Sequence, residues 1–89
     1  MDVAPDPVIE EEVRRIAKGV DGVTDLDACG VRKMGFDFFV DLHVIVDGDM
    51  TVRDGHSVAH HVKDAIRAAN PHVRDVLVHV EPHDAIHGT

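Results

Sequence analysis

Apolar residues recur along the chain with two different periods, and the changes of period mark the elements. Ile9, Val13, Ile16, Ala17 and Val20 are spaced by three and four, which predicts one buried stripe of an amphipathic helix. Ahead of it, Asp6-Pro7 offers a capping carboxylate and a proline at the first helical position, and Glu10, Glu11 and Glu12 add acids to the positive first turn. Gly19 and Gly22 end this helix. Val23, Leu26, Cys29 and Val31, before Gly35, fit a strand over 23 to about 32 with a bulge or a bent start. The period then becomes two: Phe36, Phe38, Val40, Leu42, Val44 and Val46 alternate with Asp37, Phe39, Asp41, His43, Ile45 and Asp47. A strand with one core face follows, and Asp41 and His43 share its other face. After the Asp47-Gly48-Asp49 turn, the Thr51 hydroxyl is placed to cap a second helix with Asp54 three residues on. Val58, Val62, Ala65, Ile66 and Ala69 form its buried stripe, and at ~100° per residue His56 and His60 project from nearly the opposite side. Asn70-Pro71 stops it. In the final strand, Val76, Val78 and Val80 take one face while Asp75, Leu77, His79, Glu81 and His83 take the other.

The order helix, strand, strand, helix, strand predicts an α+β fold, an open two-layer sandwich. Two helices cover one face of a three-stranded mixed sheet, and a right-handed helical crossover joins two parallel strands. The second sheet face is left bare. It carries Phe39, Asp41, His43, Ile45, Leu77, His79 and Glu81, potential ligands mixed with apolar residues that a monomer would leave in water. In a chain of 89 residues this predicts a homodimer, because a small domain gains from burying more apolar surface. The structured domain is expected over 8–83, with flexible ends at 1–7 and 84–89.

Composition adds chemistry to that bare face. All eight histidines, His43, His56, His60, His61, His72, His79, His83 and His87, lie from position 43 onward, and neutral imidazole is the commonest metal ligand among side chains. A net charge of -8 argues against nucleic acid and anionic lipid as partners and favours divalent metal ions. One cysteine and no charged-then-apolar leader predict a reducing, cytoplasmic setting. The longest apolar run, broken by Asp41 and His43, is far shorter than the ~20 residues of a membrane helix, so no direct membrane insertion is expected. No enzyme is expected either. His56-Ser57-Val58-Ala59-His60 lacks the glutamate a zinc peptidase helix uses as general base, and there is no glycine-rich phosphate loop or nucleophile elbow. Taken singly, each histidine reads as a solvated surface residue. His43 and His79, on one face and each two residues from a carboxylate, read as ligands. Cys29 reads as a small buried hydrophobe.

Gly22-Val23, Gly35, Phe39-Val40-Asp41-Leu42-His43-Val44, Thr51 with Gly55-His56, and Val78-His79-Val80-Glu81-Pro82 together carry a resemblance. In order and spacing they resemble the cytoplasmic C-terminal domain of cation diffusion facilitator transporters over roughly 8 to 83, with Arg32 where that family tends to keep an arginine. The resemblance implies a metallochaperone-like, ferredoxin-like fold and a V-shaped homodimer that binds divalent metal, most often zinc, and closes on binding to favour transport. It points to Asp41, His43, His56, His79 and Glu81 as metal ligands, with His83 a further candidate. His60, one turn after His56, would complete a pair on that helix. Relatives often have His-x-Asp where this chain has His79-x-Glu81, and the longer carboxylate can move the ion. The implied role is a cytosolic regulatory domain of a divalent-cation efflux transporter, whose partner would be the transporter's own transmembrane domain. The alternative is a free-standing metal buffer or chaperone with the same fold.

Overall fold

The computed structural model describes residues 6–83, and the elements follow the expected order: α1 (Pro7–Lys18), β1 (Asp25–Met34), β2 (Asp37–Asp47), α2 (Val52–Ala69) and β3 (Val73–His83). Both helix starts are built as their sequences imply. Asp6 Oδ1 accepts from the Ile9 amide at 3.1 Å, and Thr51 Oγ1 accepts from the Asp54 amide at 3.0 Å. Most of the expected flexible ends, residues 1–5 and 84–89, lie outside the described residues, and His87 lies there with them.

The sheet has three strands in the order β1-β2-β3, with β1 antiparallel and β3 parallel to the central β2. The irregularity expected in β1 is a register shift between Leu26 and Ala28, so Asp27 is the extra residue of a bulge. Gly22 turns the chain from α1 into β1 at φ 96°, where a Cβ would lie 2.7 Å from Val58 Cγ2. Backbone conformation and close approach to α2 both demand glycine there.

One core lies between the helices and the sheet. Val13 and Ala17 of α1 and Val58, Val62 and Ile66 of α2 pack on Val31, Val40, Leu42, Val44, Val46, Val73 and Val76. No polar residue among those described is buried with them. Two expected core residues fall outside. Phe36 is 88% exposed because it stands with Gly35 in the β1–β2 turn, before β2 begins. Ala69 is exposed at the last residue of α2, one position before the capping Asn70, where the chain leaves the helix. Val78 and Val80 face the helices yet are only half-buried, as befits an edge strand.

Candidate metal centre

The alternation of β2 and β3 sends Asp41, His43, His79 and Glu81 to the face away from the helices, and the parallel register decides how they meet. His43 is paired directly with His79, and Asp41 with Leu77. The two imidazoles stack with centroids 4.3 Å apart and planes inclined by 16°. Each ring has a carboxylate from the other strand. His43 Nδ1 lies 2.6 Å from Glu81 Oε2, and His79 Nε2 lies 3.1 Å from Asp41 Oδ1.

These two contacts are not equivalent. The His43 to Glu81 contact has hydrogen-bond geometry and the short length of a charge-assisted bond. Asp41 Oδ1 is shielded from solvent but accepts no hydrogen bond among the described residues, so His79 stands at ion-pair distance without alignment. A shielded carboxylate oxygen without a donor costs free energy, and a cation seated beside it would relieve that cost. Asp41, His43 and His79 each offer a donor atom, all within 4.8 Å of one another. An imidazole-carboxylate set of this kind fits a first-row divalent ion. Glu81, bound to His43 Nδ1, is placed to fix that ring's tautomer and orientation, the usual part of a carboxylate behind a ligating histidine.

Strand β1 completes the setting with small residues, which the sequence reading did not single out. Gly30 lies opposite Asp41 and Ala28 opposite His43, and a Cβ on Gly30 would meet nothing within 4 Å. The β1 side of the cluster is therefore open, and the available signal was a glycine inside a strand pattern. Phe39 and Ile45 of the same face are half-buried and Leu77 is 57% exposed. Arg32, opposite Phe39, is exposed.

The other expected ligands lie elsewhere. His56 and His60 sit on α2 in the helical layer, with their Nε2 atoms 3.1 Å apart. His83, exposed at the end of β3, pairs with Asp47, and Thr24 and Asp25 line the same depression. His61 and His72 are exposed. Cys29, opposite Leu42, packs against the core, and burial pushes its thiol up to about 11, an effect larger than the opposing pull of Arg14.

No helix among the described residues is long and apolar enough to cross a membrane. The chain is 29% identical over 83 residues to the manganese efflux system protein MneP of Bacillus subtilis (strain 168), covering 93% of this chain and 28% of that protein. It is also 29% identical over 72 residues to metal tolerance protein C1 of Arabidopsis thaliana, covering 81% of this chain and 15% of that one. The chain thus spans under a third of the length of these relatives. Its fold superimposes on a MamM CTD variant in a nickel form with a TM-score of 0.86 at 20% identity, over 89% of this chain and 100% of the other. A second MamM CTD structure gives 0.84 at 22% identity, over 86% and 98%. The family model described as cation efflux protein, cytoplasmic domain, matches residues 5–83, and the chain belongs to that family.

Proposed function

We propose that this domain is the cytosolic regulatory part of a divalent-cation efflux transporter, and that it binds zinc or a similar ion on the open sheet face of a V-shaped homodimer. The observation that carries the reading is the convergence of Asp41, His43 and His79 within 4.8 Å around a shielded carboxylate oxygen with no hydrogen-bond donor among the described residues. Family membership supports the transporter context, and relatives named for manganese efflux and metal tolerance support a metal cargo. The acidic chain supports the mechanism. Two subunits of charge -8 repel across a cleft, and a bound cation offsets that repulsion, so the dimer population moves toward a closed form that favours transport. His83, beside Asp47 at the far end of β3, would add a peripheral ligand at most. No catalysis belongs to this reading.

A ligand shifts such an equilibrium only through tighter binding to one form. Calorimetric titration of the domain with several divalent ions, read with its solution mass, tests binding and assembly. Spin labels on α2 of the two subunits test closure: the inter-subunit distance is expected to shorten or narrow with zinc, and to respond less in Asp41→Ala. A monomer at tens of micromolar, or distances unchanged at saturating zinc, rejects the closing dimer and leaves a metal buffer as the better account.

A further inference from the structure

We propose that α2 carries a second metal site of its own, formed by the Nε2 atoms of His56 and His60. The site suits copper(II), nickel(II) or zinc(II) and discriminates against manganese(II). It rests on the geometry of one helix and not on the sheet-face reading. The two Nε2 atoms are 3.1 Å apart. Two nitrogens bound to one ion at ~2.0–2.1 Å, with an angle between cis-octahedral and tetrahedral, stand about 2.9–3.4 Å apart. The observed separation is thus already that of one edge of a coordination polyhedron. Without an ion the same distance is a hydrogen bond, one ring donating Nε2–H to the other; an ion would take the place of that proton, which moves to Nδ1 of the same ring so that both imidazoles stay neutral.

The pair is well held and reachable. Positions four apart on a helix stand one above the other, and this stretch of α2 is anchored by buried Gly55, Val58 and Val62 while both histidines are exposed. Lys63, which lines the same depression, has its Nζ 3.0 Å from Asp75 Oδ1, so its charge is compensated. The converging carboxylate-containing group lies on the other side of the sheet, and water would fill the remaining positions on α2. Selectivity follows from the donors. Two imidazoles without a carboxylate favour the later first-row ions, whereas manganese(II) stands at the weak end of that order and prefers oxygen ligands.

The test separates the two sites. A chain carrying both His43→Ala and His79→Ala is titrated with nickel(II) and with manganese(II). One nickel(II) per chain and no manganese(II) are expected, and adding His60→Ala should weaken nickel(II) binding by at least about tenfold. Copper(II) electron paramagnetic resonance on the same chains should show two coordinated nitrogens falling to one. Loss of all nickel(II) binding in the doubly substituted chain, unchanged binding after His60→Ala, or equal uptake of manganese(II) would each overturn the proposal. If the doubly substituted chain does not fold, His60→Ala in the parent decides: one fewer nickel(II) per chain supports the site, and unchanged stoichiometry overturns it.

Discussion

Strand β2 serves two faces of one sheet, and they obey different rules. Toward the helices it presents Val40, Leu42, Val44 and Val46, all buried in a core without a buried polar residue among those described. Toward the open side it presents Phe39, Asp41, His43 and Ile45, none of them fully buried. The first face is stabilised by removing hydrocarbon from water, a non-directional effect that tolerates any well-fitting apolar set. The second holds a shielded carboxylate oxygen and stacked imidazoles, an arrangement that gains little for the isolated chain and that a cation, in the proposed function, would stabilise. On that proposal, stability and metal binding are divided between alternate residues of the same eleven-residue strand.

The largest test of this division compares neighbours in sequence. Leu42→Ala should destabilise the domain by about 2–5 kcal/mol through lost burial and a residual cavity, measured by denaturant unfolding. His43→Ala, one residue away, should leave the unfolding midpoint nearly unchanged while lowering zinc affinity in calorimetry. Equal destabilisation by both would abolish the contrast between the faces.

Acidification probes the metal-binding histidines and not the apolar core. Imidazole must be deprotonated to bind metal, so zinc affinity should fall across the mildly acid range. Circular dichroism should show the fold intact over that range. Unfolding in step with metal release would mean that the ion holds the core together.

Cys29 probes the covered side. With its thiol raised to about 11 by burial, its thiolate fraction at mild alkaline pH is small, and it should react with iodoacetamide about one to two orders of magnitude more slowly than a free cysteine. The sign of the linked stability follows. The contribution from keeping this thiol neutral is fully present below the ordinary value of 9.0 and is lost as pH rises through about 11. Rapid alkylation of the native protein would show that the edge formed by β1 opens.

The smallest effect is expected at Asp75. The hydrogen bond from Lys63, ahead of the one from the Val76 amide, holds this exposed carboxyl below its ordinary 3.8. Its contribution is therefore present above that value and disappears as pH falls through the lower folded-state value. Asp75→Asn should lower the neutral-pH midpoint slightly and converge with the parent in acid, because exposed pairs are screened by solvent. A large loss at neutral pH would place Asp75 in a structural role.

By itself the sequence determined the element order, both helix caps, the β1 irregularity and the face on which Asp41, His43, His79 and Glu81 stand. These depend on local spacing: a period of two or of 3.6 assigns a side chain to a face wherever the chain goes. It placed Phe36 in the core because alternation alone does not show where a turn ends and a strand begins. The tertiary structure decided the rest. Pairing of His43 with His79 is set by the parallel register across the α2 crossover, a relation between residues 36 positions apart that no local pattern encodes. Sorting the expected ligands into a sheet-face group and a separate α2 pair likewise required the layers to be assembled, because ligand chemistry depends on distances of a few ångströms between elements remote in sequence.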